Sequence, residues 1–135
     1  MAVGYSGTPL VKKLGLAPDM SVVLLNAPPH ISGLIGELPS GVKVSRRLTR
    51  RADVVLIFVN DAAELSRKVP ALKSAVAPDG MVWVAWPKRT SKMPTDLTED
   101  VIRDIVLPTG LVDVKVCAID PTWSGLKLVI RKALR

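Results

Sequence analysis

The sequence predicts an α/β fold: a mostly parallel sheet flanked by helices and ending in an antiparallel hairpin. Two patterns carry this expectation. Short uninterrupted apolar runs, the clearest at residues 53–59, suit strands buried on both faces, and they alternate with segments whose apolar residues recur at helical spacing. The last two runs are joined by a turn too short for a parallel crossover, so they must pair antiparallel. With 135 residues the chain is expected to form one domain over 1–135. Hydrophobic residues make up 48% and charged residues 23%, the balance of a globular protein. Aromatics are only 4%, so the core must rest on Val, Leu, Ile and Ala.

The elements follow in order. Thr8-Pro9 reads as an N-cap with proline in the first helical position, followed by Leu10, Val11 and Leu14 on one face and Gly15 as a stop. Residues 21–25 form a short Val/Leu strand, stopped by Asn26-Ala27-Pro28-Pro29. Residues 31–38 suit a short helix and 42–45 a brief second strand. A basic connector, 46–51, leads into the strand at 53–59. Asp61-Ala62-Ala63-Glu64 fits a capping box, and Leu65, Val69, Leu72 and Val76 continue it as a helix. Pro70 should kink or split that helix.

Residues 77–80 read as a turn, 81–86 as another buried strand and 87–94 as a basic loop. Asp96-Leu97-Thr98-Glu99 repeats the capping box, with Val101, Ile102, Ile105 and Val106 behind it and Pro108 and Gly110 ending the helix. Residues 111–119 form a strand whose Asp113 and Lys115 suit a sheet edge. After a turn at 121–125 the chain returns as a strand over 126–131. Strand–helix alternation implies right-handed parallel crossovers, with the final strand inserted antiparallel between the two before it.

That ending resembles the class I methyltransferase fold, a Rossmann-like architecture whose last strand enters the sheet antiparallel. Leu14 to Val23 is similar to the approach to the first methyltransferase strand, and Ala77-Pro78-Asp79-Gly80 to the turn into its fifth. The resemblance implies a cofactor site for S-adenosylmethionine, and the chain departs from it. Leu24 stands where the family carries an acid, Asn26 and Pro28 where it carries glycines, and Ser45-Arg46-Arg47 where an acid would hold the ribose. Only residues 27–52 separate the first strand from the strand at 53–59, so an edge strand is expected to be missing. Gly4 to Leu10, Trp83 to Lys88 and Trp123 to Lys127 also resemble a bacterial family classed as a domain of unknown function, which implies no activity.

Composition and motifs exclude more than they assign. The lone Cys117 forbids an intrachain disulfide, fits a reducing compartment and reads as strand packing. No signal peptide and no membrane-spanning run is evident, so the cytoplasm is the expected location and no membrane is a partner. The single histidine, His30, has no metal-ligating neighbours in sequence; it reads as a surface residue or an acid–base group. Net charge is +7, with Lys and Arg gathered at 43–51, at 88–92 and at the C-terminus. No nucleic-acid motif accompanies them, so a solvated surface is the expected reading.

In open parallel sheets, ligands bind outside the carboxyl ends of the strands. Asn26, His30, Asn60, Trp86, Lys88 and Trp123 all fall at that edge as candidate ligand-binding residues, and Asn26, Asn60, Trp86, Lys88 and Trp123 are expected to border one concave surface. Two tryptophan rings beside Lys88, Arg89 and Lys92 would suit a small anionic ligand or an acidic protein segment. No cofactor, metal or oligomeric state is assigned. The expected function is a non-catalytic ligand-binding or protein-interaction module on a degenerate methyltransferase-like scaffold. The alternatives are an S-adenosylmethionine-dependent methyltransferase with an altered cofactor loop, and a nucleic-acid binder using its basic surface.

Overall fold

A computed structural model describes residues 9–135. Its strands are β1 (Ser21–Leu25), β2 (Lys43–Ser45), β3 (Ala52–Phe58), β4 (Val76–Pro87), β5 (Leu111–Ala118) and β6 (Trp123–Ile130). They form one six-stranded sheet in the order β2-β1-β3-β4-β6-β5. β2, β1, β3 and β4 pair in parallel; β6 runs antiparallel to both β4 and β5. β5 therefore points the same way as the first four, and the late strand is inserted as expected. The helices are α1 (Leu10–Lys13), α2 (Ile31–Ile35), α3 (Ala62–Ala75) and α4 (Glu99–Val106). No helix among the described residues is long and apolar enough to cross a membrane.

The period-two alternation of the strands divides the core between two faces. On one face Val23, Val55, Ile57, Val82, Val84, Leu126 and Leu128 pack beneath α3 and α4, through Leu65, Val69, Leu72, Ile102 and Val106. On the other, Val22, Leu24, Val54, Leu56, Phe58, Trp83 and Ala85 meet the short α1 and α2, through Leu10, Leu14, Ile31 and Ile35, with Ile119 and Trp123 of the β5–β6 turn region beside them. The second face is thus covered by helices of 4 and 5 residues, the first by helices of 14 and 8.

Several local expectations are corrected. Thr8 lies outside the described residues, and Pro9 is the N-cap of α1 and not its first helical residue. α2 stops at Ile35, three residues early, because Gly36 takes φ 74° and breaks the helical path. α3 runs unbroken through Pro70. The proline is exposed, so water can take the Ser66 carbonyl that its missing N–H would have bonded. Asp96 does not cap α4; Thr98 does, its side chain accepting from the Val101 N–H. Asp96 instead accepts from the Ala62 N–H at 2.8 Å and so caps α3 from a distant loop, beside Asp61, which takes the Ala63 N–H. β6 begins at Trp123, earlier than the expected 126.

The expected turn at 77–80 is a large bulge within β4. Ala52 pairs with Val76, yet Val54 pairs with Met81, so Pro78 and Asp79 are pushed out into solvent. Gly80 returns the chain to the sheet in a space that forbids a side chain. A Cβ there would lie 2.8 Å from the Asp53 carbonyl oxygen and 3.0 Å from that of Ala52. Gly80→Ala should therefore cost about 1–3 kcal/mol, read from chemical denaturation. A neutral substitution would show that the bulge is free to shift.

At the far edge of the sheet Arg103 of α4 holds Asp113 of β5 at 2.9 Å, with Glu99 and Asp100 on its other nitrogens. This contact keeps the Asp113 carboxyl below the usual range. It also explains the acid on β5 as an anchor for α4.

Candidate functional site

The carboxyl edge of the sheet is built by the connections leaving β1, β3 and β4 and by the β5–β6 turn. The expectation that Asn26, Asn60, Trp86, Lys88 and Trp123 border one concave surface is corrected. Trp86 and Trp123 are buried on opposite faces of the sheet, at 7% and 8% exposure, Trp86 beneath the α3–α4 layer and Trp123 on the α1–α2 side. The cause is register. Trp86 pairs with Ser124 and Pro87 with Trp123, so the two rings sit one position out of phase. They cannot form a common platform.

The six candidate residues divide accordingly. Asn60, Trp86 and Lys88 belong to the α4 side. Trp86 and Lys88 line an open groove of about 550 Å³ together with Arg89, Thr95 and Glu99. Thr95 holds this loop to the sheet by donating its hydroxyl to the Asn60 carbonyl at 2.8 Å. Glu99 lines the same groove, with its carboxylate paired to Arg103 of α4.

Asn26, His30 and Trp123 belong to the other side, where the edge is tightly connected. Asn26 adopts φ 57°, a left-handed conformation that asparagine tolerates better than most residues, and its side-chain amide donates to the Phe58 carbonyl at 3.3 Å. Phe58 meets Trp123 edge-on, with ring centroids 5.1 Å apart. The Lys88 N–H donates to the Thr122 carbonyl at 2.7 Å, tying the end of β4 to the β5–β6 turn.

The centre of this side is a residue that sequence reasoning missed. Asp120 is the buried charged residue of the described chain, at 4% exposure. One carboxylate oxygen accepts the N–H groups of Thr122 and Trp123, at 2.8 and 2.7 Å. The other lies 2.7 Å from Nε2 of His30, whose side chain is 54% exposed. A carboxylate can only accept, so Nε2 carries the hydrogen and, in the neutral ring, Nδ1 keeps its lone pair. The available signal was Asp120-Pro121-Thr122-Trp123, an Asx-type turn between two strands.

Elsewhere on this face Cys117 packs against the core, and burial pushes its thiol pKa up, in keeping with a packing role. A second cavity, of about 380 Å³, opens between α2 and β2. Leu24 lines it, and so does Arg46, whose guanidinium donates to the Ser32 hydroxyl at 3.3 Å.

No family model matches the chain, and no curated protein matches it either. Solved structures do. A methyltransferase from Aquifex aeolicus, described as dependent on S-adenosylmethionine, superposes with a TM-score of 0.65 at 14% identity, over 94% of this chain and 90% of that one. Fibrillarin from Aeropyrum pernix, in complex with S-adenosyl-L-methionine, gives 0.56 at 13% identity, over 89% and 73%. Magnesium protoporphyrin IX methyltransferase from Synechocystis gives 0.57 at 13%, over 91% and 74%. The chain therefore has the class I methyltransferase fold, and identities this low speak for the fold alone.

Proposed function

We propose that this chain is a ligand-binding module on a methyltransferase scaffold, without methyl transfer of its own. The turn after β1 carries this reading. Asn26 reproduces the backbone bend for which the family uses glycine. The next positions do not continue the resemblance. Pro28 and Pro29 have no N–H to offer a ligand, and the Pro28 carbonyl is occupied by the Ile31 N–H. Leu24, at the position of the family's acid, is buried in the core at 5% exposure. At the end of β2, Ser45 turns its hydroxyl to the Arg47 backbone and Arg46 reaches Ser32. No carboxylate stands there to accept from ribose hydroxyls. These residues do not fit S-adenosylmethionine in its usual pose.

Calorimetry with S-adenosylmethionine and its demethylated product should give no saturable heat below about 1 mM. A micromolar dissociation constant would overturn the proposal. It would favour the second reading, an S-adenosylmethionine-dependent enzyme with an altered loop. One observation supports that reading. His30 is held through one ring nitrogen by a buried carboxylate while the ring is open to solvent, the arrangement a general base requires.

A further inference from the structure

We infer that the cavity between α2 and β2 binds an amphipathic monoanion: a carboxylate on a hydrocarbon body of roughly ten carbons. This deepens the proposal of a binding module and rests on it.

Among the described residues this face is thinly covered, which leaves the cavity open. α1 and α2 span one turn or little more. The connector from β2 to β3, residues 46–51, is exposed throughout and adds no buried side chain. Leu24 and Leu56 form an apolar floor, Leu16 and Leu38 stand at its sides, and Val44 of β2 is 42% exposed at the rim. The volume of about 380 Å³ falls at the small end of ligand pockets, which run from about 300 to 1,000 Å³.

The polar groups of the lining converge at one place. Arg46 and Ser32 both line the cavity, and Ser32 fixes the guanidinium through one nitrogen. Among the described residues no carboxylate pairs with Arg46. A guanidinium has five N–H donors and no acceptor, so most of its donors remain for a ligand. Its fork matches a carboxylate through two parallel bonds. A neutral lipid would leave this charge unanswered, and a compact anion such as acetate would leave the floor wet. The complementary molecule has one carboxylate and one apolar body.

The test is calorimetry with hexanoate, octanoate and decanoate on the intact chain, with S-adenosylmethionine titrated into the same sample. Each two added methylenes should tighten binding roughly tenfold, and acetate should give no heat. Arg46→Met should weaken decanoate at least tenfold while keeping the apolar stem. Arg50→Met, a neighbouring cation that does not line the cavity, should change it less than twofold. Methyl NMR shifts should concentrate on Val22, Leu24, Val54 and Leu56.

Equal losses at Arg46 and Arg50 would mean unspecific attraction to a basic surface and would overturn the site. So would affinity independent of chain length, or no decanoate binding at about 1 mM. Decanoate binding together with tight S-adenosylmethionine binding would uphold the cavity and sink the proposal about the scaffold. Failure of both ligands would do the reverse.

Discussion

Trp83→Ala should destabilise the fold by about 3–5 kcal/mol and lower the melting temperature by roughly 10–20 °C. Trp83 lies in the middle of β4, fully buried, on the face that α1 and α2 cover thinly. Its indole N–H donates to the Leu14 carbonyl at 3.1 Å, which fastens the end of α1 to the sheet. Space for the ring comes from Gly125 on the neighbouring strand, where a Cβ would come within 3.2 Å of Cε3. Alanine would remove the largest fully buried side chain, and among the described residues this face has no long helix that could settle into the gap. Domains of this kind are stable by only about 5–15 kcal/mol, so the loss is a large share of the total. Trp83→Phe keeps most of the apolar area and strands the Leu14 carbonyl. It should cost less, about 1–3 kcal/mol. A loss below about 1 kcal/mol for the alanine variant would contradict the packing described for this face.

Asp120→Ala should be nearly as costly, about 2–4 kcal/mol, for an electrostatic reason. It strips the acceptor from two backbone N–H groups, one belonging to the buried Trp123, and leaves His30 without its partner. Asp120→Asn separates the two roles. Its carbonyl oxygen can still accept both N–H groups, so the cost should stay below about 1 kcal/mol. Its amide would then donate toward Nε2 of His30, which moves the imidazole hydrogen to Nδ1. Nitrogen-15 spectra of the ring would register this change of tautomer. If both variants melt alike, the turn does not depend on the carboxylate oxygens. If the tautomer is unchanged in the asparagine variant, the His30 contact is not maintained in solution.

The strands were legible because buried parallel strands are written as unbroken apolar runs, as Val54 to Val59 shows. The insertion of β6 was legible too, since a short turn permits only an antiparallel return. Sidedness was not. Trp86 and Trp123 both fall at the carboxyl edge, but which face each one takes depends on its register against the neighbouring strand, and register is not local information. Asp96 was misassigned for a related reason. Its spacing to Glu99 suits a cap for the helix that follows, while the N–H it serves belongs to Ala62, far back in the chain. Asp120 carries no such capping signal: its turn lies between strands, and its partner His30 is 90 residues away in the chain.

The interior position of β6 has a consequence for how the chain assembles. β4 gains its second neighbour only when residues 123–130 are in place, and those residues follow every other strand of the sheet in sequence. Until then the sheet grown from β1, β3 and β4 ends in an unpaired row of backbone groups along β4, and β5 has nothing to join. Non-local closure of this kind slows folding, and a bare strand edge is open to pairing with other chains. The bulge at Pro78 and Asp79 falls on this same strand, near its start, where it interrupts the flat edge that the waiting β4 would otherwise present.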